Sequence, residues 1–295
     1  MAVGPARSIA ALADKVRPMR RGAAAGRRGL PGMAITRRLP PVPRSRKAVW
    51  GRRLVAFAWP LLLVTGWAFR SRLIDPLALV VNLGLGFVLA VTGFVLAAAA
   101  LVEIWRRGSR GLGAAVAALF MGLPLLGLAG AAGAALAVYP PINSIATDPD
   151  NAPAFRAALP MRQAAGAAEP SDRARLAAQQ RAAYPDIKPL LLETDVETAY
   201  AQALALAQEK GWVMLQAQPP TQRVKRGRIE ATAFTAVLRF PDDVVIELAD
   251  SGTATRVDMR SASRFGRHDL SQNARRIRGF LSELKTRVEE ETESE

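Results

Sequence analysis

The chain has 295 residues, with 40 basic and 25 acidic side chains, one histidine and no cysteine. This length accommodates about two domains of roughly 150 residues each. The lack of cysteine excludes a disulfide framework, a thiolate nucleophile and any cysteine-built zinc or iron–sulfur site. A mean hydropathy of +0.11 beside a formal net charge of +15 indicates that charged and apolar residues occupy different parts of the chain.

The positive charge is concentrated at the start of the chain. Residues 1–53 hold 14 basic side chains and a single acid, Asp14, whereas residues 139–295 hold 21 basic and 22 acidic side chains. Residues 1–50 are rich in Gly, Pro and Arg and have no apolar period, which predicts a basic disordered arm. Because the excess charge lies in this arm, we expect no nucleic-acid partner. An arm that binds nucleic acid or an anionic membrane is the alternative.

Three apolar runs follow the arm and predict a three-helix transmembrane region over residues 51–139. Residues 54–69 carry no charge, but 16 residues are slightly short for a hydrocarbon core of about 30 Å. Residues 76–102 form a charge-free run of 27 residues, and the third run ends near Tyr139. Neither longer run has the polar face of a soluble helix. All three lack charged residues, which argues against an ion path or a transporter.

Charge in the connecting loops predicts the orientation. Loops rich in Lys and Arg stay in the cytoplasm, so the basic arm and the loop at residues 103–110, with three Arg, are expected there. Three crossings then give a multi-pass protein of the bacterial inner membrane, with a cytoplasmic N-terminus and a periplasmic C-terminal domain. If the first run were interfacial instead, the C-terminal domain would be cytoplasmic.

Small residues in the third run predict close helix packing. Ala129 and Gly133 form a small-x-x-x-small pair, with further glycines at positions 122, 127 and 130. Packing against the first two helices of the same chain is the favoured interpretation. A face for homo-oligomer formation is the alternative.

Beyond residue 139 the pattern changes to alternation and amphipathicity. Residues 140–183 form an extended Pro/Ala-rich tether with room for a helix, residues 184–288 form a compact domain, and residues 289–295 form an acidic tail. Asp195 is predicted to cap a helix that Gly211 ends. In chain order the predicted elements are a strand at 189–193, a helix at 196–210, strands at 211–216, 228–235, 244–248 and 253–263, and a helix at 270–288. This order predicts a two-layer α+β domain with a mostly antiparallel sheet.

Several short motifs occur in order within this C-terminal half. They are Pro140-Pro141-Ile142-Asn143-x-Ile145-x-Thr147-Asp148, Tyr184-Pro185, Gly211-Trp212, Ile229-Glu230-Ala231-Thr232, Asp242-Asp243-Val244-Val245-Ile246, and a stretch from Arg256 to Arg278 that contains Gly266-x-x-Asp269-Leu270-x-x-Asn273. Roughly half of the chain therefore resembles the family called domain of unknown function 1499. The resemblance implies a shared domain and brings no reaction, cofactor or catalytic residue. His268 departs from the family's pattern, in which a small residue precedes the Asp.

Polar side chains in these motifs are the candidate binding residues. Strand alternation places the side chains of Arg256, Asp258, Arg260 and Arg264 on one face. This face is either an anion or lipid-headgroup site, or a solvated sheet face with cross-strand ion pairs. The full candidate set is Glu230, Asp258, Arg260, Arg264, His268, Asp269, Asn273 and Arg275.

Other chemistry has weaker support in the sequence. Asp242 and Asp243 could ligate a hard cation, but they point to opposite faces of a strand, and Pro241 favours a hairpin turn. His268 beside Asp269 lacks a nucleophile elbow and a second histidine, so we predict no catalytic residue, metal or cofactor. The leading hypothesis is a non-enzymatic module that binds an anionic ligand, a lipid headgroup or an envelope protein. The alternative is an enzyme for a lipid or envelope substrate, built around Glu230, Asp258, Arg264 and His268.

Overall fold

The computed structural model of the protein describes residues 42–167 and 172–294. Most of the predicted disordered arm, residues 1–41, lies outside the described residues. Three long helices come first: α1 (Arg46–Arg70), α2 (Pro76–Arg107) and α3 (Leu112–Val138). Each is long and apolar enough to cross a membrane. The first apolar run is therefore the C-terminal part of a 25-residue helix that begins at Arg46, and residues 46–50, predicted as disordered arm, are helical.

Helices α1 and α2 cross at a pair of glycines. A Cβ atom on Gly51 would lie 2.8 Å from the carbonyl oxygen of Gly93, and a Cβ atom on Gly93 would lie 2.8 Å from the carbonyl oxygen of Gly51. Only glycine allows this approach, because any side chain would push the two backbones apart. This close backbone contact thus joins α1 and α2. The sequence pattern predicts close packing from the small residues of α3 instead.

The glycines of α3 lie in two different environments, one packed against α2 and one open. A Cβ atom on Gly122 would lie 3.0 Å from the ring of Phe94 in α2, so packing within the chain is confirmed at this position. A Cβ atom on Gly127, Gly130 or Gly133 would have nothing within 4 Å. The predicted packing against the first two helices therefore holds only for the first half of α3.

The two helix connections lie at opposite ends of α1. At its start, the backbone N–H of Ser45 donates to the carbonyl oxygen of Arg110 (2.9 Å), in the connection between α2 and α3. Lys47 also pairs with Glu103 near the end of α2 (3.3 Å). The connection between α1 and α2, residues 71–75, lies at the other end of α1.

The C-terminal domain is built around one antiparallel sheet. Its elements are β1 (Ser144–Ala146), α4 (Leu159–Ala164), α5 (Arg173–Ala183), β2 (Leu190–Leu192), α6 (Val196–Glu209), β3 (Val213–Gln218), β4 (Arg226–Phe234), β5 (Pro241–Asp250), β6 (Thr255–Ser263) and α7 (Gln272–Ser294). The four long strands lie in the order β3, β4, β5 and β6, and two short strands, β1 and β2, pair with successive parts of β6. The predicted two-layer α+β domain with an antiparallel sheet is confirmed.

Local sequence signals account well for α6. The Asp195 carboxylate accepts the backbone N–H of Thr198 (2.9 Å), which satisfies a free donor at the first turn. Gly211 follows the helix with φ +69°, a conformation that glycine adopts without steric cost. Helix α7 extends beyond its predicted end at residue 288 through most of the predicted acidic tail.

One face of the sheet is apolar and lies under α6 and α7. Ile229, Ile246 and Met259 form a row across β4, β5 and β6, and each is at most 1% exposed. Leu206 from α6 and Phe280 from α7 are fully buried in the same core. This core is the main hydrophobic support of the domain.

Candidate functional site

The opposite face of the sheet carries charged side chains in rows. One row is Arg228, Glu247 and Asp258, and the next contains Glu230 and Arg260. Residues 147–164, which include α4, cover part of this face, so Glu230 is fully buried. We give the name buried charge network to the covered side chains and the charged groups bonded to them: Arg162, Arg228, Glu230, Asp243, Asp258, Arg260 and Arg264. The expected cross-strand ion pairs are present, as between Arg228 and Glu247. The face is covered at Glu230 and Arg260 but stays partly solvated at Glu247 and Arg256.

Glu230 anchors the covering segment to the sheet. Its carboxylate accepts the backbone N–H groups of Arg156 (2.9 Å) and Ala158 (3.1 Å), and it pairs with Arg228 (2.6 Å). Arg228 also pairs with Glu247 and donates to the carbonyl oxygen of Ala154. A buried carboxylate with three donors has its charge compensated, so it is a structural anchor in this arrangement.

Asp243 is the second centre of the network. Its carboxylate pairs with Arg264 (2.6 Å) and Arg162 (3.2 Å) and accepts the hydroxyl of Thr232 (3.3 Å). The neighbouring Asp242 points to the other face, where it pairs with Arg276 of α7 (2.6 Å). The predicted opposite orientation of these two acids is confirmed. Their predicted place in a hairpin turn is wrong, because both lie within β5.

The remaining arginines of β6 also have protein partners. Arg256 pairs with Asp258 (2.6 Å) and Asp148 (3.1 Å), and the hydrogen bond that Arg256 donates to Asp258 raises the pKa of the Arg256 guanidinium. Arg260 donates to the hydroxyl of Ser144 (3.0 Å) and lies over the ring of Phe155 at 4.7 Å. Their charges are therefore engaged by other groups of the protein, which reduces their availability for a ligand.

The other predicted site residues gather where α7 begins. The Asp269 carboxylate accepts the backbone N–H groups of Ser271 (2.9 Å) and Asn273 (2.9 Å). Desolvation by burial raises the pKa of Asp269 despite these hydrogen bonds. Asn273 is fully buried and accepts the hydroxyl of Ser261 (2.7 Å), which ties α7 to β6.

Seven of the eight predicted site residues thus lie in two places. Four lie in the buried charge network and three lie at the start of α7. Arg275 is exposed and donates to the carbonyl oxygen of Leu270 (3.1 Å). Of the four residues suggested for an enzyme, Arg264 and His268 line two different pockets, whereas Glu230 and Asp258 bind neighbouring protein groups. The enzyme alternative stays a prediction.

An open pocket lies where the helical region meets the domain. Its volume is about 630 Å³, and we call it the junction pocket. It is lined on one side by the end of α1 and the connection to α2, and on the other by β3, β4 and the hairpin loop 235–240. Four arginines contribute to its lining: Arg70, Arg72, Arg239 and Arg264. None of the described residues that line it is acidic.

The contacts beside the junction pocket join the two regions. Nη1 of Arg70 donates to the carbonyl oxygens of Ala236 (3.2 Å) and Val237 (3.1 Å) in the hairpin loop. The rings of Phe69 and Phe240 lie 4.7 Å apart. Both polar and apolar contacts therefore hold the hairpin loop against the end of α1.

A second pocket, of about 550 Å³, shares part of its wall with the junction pocket through Pro76 and Phe265. It is lined by apolar side chains of α2 and the hairpin loop, and its polar end includes His268 and Asp269. Nδ1 of His268 is buried and has no hydrogen-bond partner among the described residues.

Sequence reasoning missed the residues that define the junction pocket. Arg72 and Arg239 are separated by more than half the chain, so no local pattern relates them. For the buried charge network a local signal existed, since Arg228 and Glu230 are two residues apart on one strand and must share a face. Arg162 came from a segment without strand character and gave no such signal.

Within residues 42–167 and 172–294, no group of three or more metal-ligating side chains could hold a metal ion. Residues 144–284 match the family described as Protein of unknown function (DUF1499). Comparison with curated proteins gives no match for the chain. The resemblance noted from the motifs is therefore confirmed over the C-terminal half.

Proposed function

From the premise that residues 144–284 are a DUF1499 domain joined to three candidate membrane helices, we propose that this is a multi-pass membrane protein that holds a binding module against the extracytoplasmic membrane surface. The module recognises a ligand at that surface, and its buried charges serve to support the fold. The proposed location is the bacterial inner membrane, with the N-terminus in the cytoplasm and the domain in the periplasm.

The contact between the α1–α2 connection and the hairpin loop carries this proposal. Arg70 and Phe69 at the end of α1 contact residues 236–240 of the domain. If α1 crosses the membrane, the domain then lies on the side where α1 ends. Three antiparallel crossings require the same placement, because the domain follows the end of α3.

The orientation is supported by the groups at the other end of α1. Ser45 is bonded to Arg110, so the start of α1 and the α2–α3 connection lie together. This end collects the basic residues of positions 44–53, Arg106 and Arg107 at the end of α2, and Arg110 of the connection. By the positive-inside tendency, this end faces the cytoplasm and the domain faces outward.

Cysteine labelling in intact cells tests the orientation, because the natural chain has no cysteine. In the full chain, Ser251→Cys places a thiol on an exposed turn of the domain, and Arg107→Cys places one at the exposed end of α2. We expect a membrane-impermeant maleimide to label the first variant in intact cells and the second only after lysis. The reverse pattern, or equal labelling of both variants, would overturn the proposed topology.

A further inference from the structure

We propose that the junction pocket binds the phosphate-bearing headgroup of an anionic phospholipid, with Arg72 and Arg239 as its principal ligands. This inference rests on the proposed function, since it gives the ligand class for the membrane-facing module. The junction pocket takes the place of the basic face of β6, which the sequence suggested as an anion site. Arg256 and Arg260 of that face already bind other groups of the protein.

The charges of the junction pocket favour an anion. Arg70, Arg72 and Arg239 line it, and none of them forms an ion pair with a carboxylate among the described residues. All three are exposed, in contrast to the arginines of the buried charge network. Three uncompensated guanidinium groups around one concave space provide the planar, multiple donors that suit phosphate oxygens.

Phe234 positions two of these arginines. The guanidinium carbon of Arg239 lies 4.8 Å from the centre of the Phe234 ring, and that of Arg72 lies 5.9 Å from it. Stacking on an aromatic ring restrains a guanidinium while leaving its edge donors free. The two arginines come from different connections, so the ring brings together charges that the chain order keeps apart.

The backbone at both arginines is unusual. Arg72 has φ +59° and Arg239 has φ +58°, a left-handed conformation that non-glycine residues seldom adopt. Glycine would adopt this conformation without strain at either place. Arg72 adopts it where α1 ends and Arg239 where the hairpin loop turns, so each turn places its arginine at the pocket.

The position of the pocket favours a lipid over a free anion. Phe69 lies in the last turn of α1 and Pro76 begins α2, so the lining includes the ends of two candidate membrane spans. Headgroups lie at this level of a bilayer. The neighbouring apolar pocket continues along Leu77 and Val80 of α2, which are 73% and 62% exposed, and provides a path for an acyl chain.

Lipid binding to the purified full chain tests the proposal. The protein in nonionic detergent is mixed with dioleoylphosphatidylglycerol, dioleoylphosphatidylcholine or inorganic phosphate, and bound molecules are counted by native mass spectrometry across a concentration series. We expect preferential binding of phosphatidylglycerol by the wild type. In the double variant Arg72→Gln/Arg239→Gln, we expect an affinity loss of about tenfold or more.

The matched control is Arg106→Gln/Arg107→Gln. These two arginines are also exposed and lie at the far end of α2, so the control removes the same charge at the opposite edge of the helical region. We expect it to retain the wild-type affinity within about twofold. Circular dichroism of all variants verifies that they fold.

Three outcomes would overturn the lipid site. They are equal binding of phosphatidylglycerol and phosphatidylcholine, equal binding of inorganic phosphate, and an equal loss in both double variants. Both sides of the protein are accessible in detergent, so this measurement does not depend on orientation. Failure of the lipid site would leave the labelling pattern unchanged, and failure of the topology would leave the lipid preference unchanged.

Discussion

The two faces of the domain's sheet are both covered, but by different chemistry. Under α6 and α7, Ile229, Ile246 and Met259 contact apolar helix residues. Under residues 147–164, Glu230 and Asp243 are each fully buried with arginine partners. On the first face the cover is held by apolar burial, and on the second by directional charge-assisted hydrogen bonds.

This difference bears on function because a buried charge resembles a binding residue in the sequence. The motifs around Glu230 and Arg260 are polar, yet their side chains mainly fasten a covering segment. The arginines that remain open come from connections outside the long strands, at Arg72 and Arg239. The strands and α4 supply the structural charges, whereas the α1–α2 connection and the hairpin loop supply the available ones.

Truncating the apolar face should give the largest loss of stability. Phe280 is fully buried and stacks on Trp212 with ring centres 5.1 Å apart. We expect Phe280→Ala to lower the free energy of unfolding by about 4 kcal/mol, because it leaves a cavity. Urea unfolding of the full chain in detergent measures this change. Leu191→Ala is the control, because Leu191 is 62% exposed, and a similar loss in both variants would contradict the assignment of the core.

Removing a charge from the second face should cost somewhat less. Asp243→Asn leaves Arg162 and Arg264 without a carboxylate partner, and we expect a loss of about 3 kcal/mol in the free energy of unfolding. Asp250→Asn is the control, since Asp250 pairs with the exposed Lys225 and its loss should cost much less stability. Equal unfolding midpoints for the two variants would show that burial does not distinguish these pairs.

The pH dependence of stability should differ between the buried Asp269 and the exposed Asp186, because their pKa values shift in opposite directions. Burial raises the pKa of Asp269 above its ordinary value of 3.8, so the folded state binds the proton more tightly and is favoured as the pH falls through this window. Asp269→Asn removes that contribution, so the variant should lose stability more steeply than the wild type on acidification. Thermal midpoints between about pH 6 and about pH 3 test this.

Asp186 provides the control of opposite sign. The hydrogen bond from Arg278 lowers the pKa of Asp186, so its contribution to stability is present above 3.8 and is lost as the pH falls through the lowered pKa. Asp186→Asn should therefore lose stability less steeply than the wild type. Parallel pH profiles for the two variants would contradict the predicted directions.

The smallest expected effect is a gain in stability when a polar group is removed from the apolar face. The hydroxyl of Tyr200 is buried and has no hydrogen-bond partner among the described residues, and burial raises its pKa. We expect Tyr200→Phe to raise the free energy of unfolding by up to about 1 kcal/mol, because the desolvated hydroxyl is removed. Tyr139→Phe, at the end of α3, should leave it unchanged. A loss of stability in Tyr200→Phe would contradict this prediction, because it would show that the hydroxyl makes a stabilising contact.

Much of the fold could be predicted because its signals are local. Charge-free runs mark the three helices, and Asp195 and Gly211 mark the ends of α6. Strand β1 was missed because it has only three residues and gains its place by pairing with β6. The covering segment was predicted as a tether because the carboxylate that holds it, Glu230, is 72 residues or more away in sequence.

The sequence by itself determined the division into an apolar helical region and an α+β domain, since hydropathy and alternation are properties of neighbouring residues. It also determined which residues share a strand face, as Arg256, Asp258 and Arg260 do. Only the tertiary structure decided which charges are neutralised and which stay open. That outcome depends on partners brought together from distant parts of the chain, as Phe234 brings together Arg72 and Arg239.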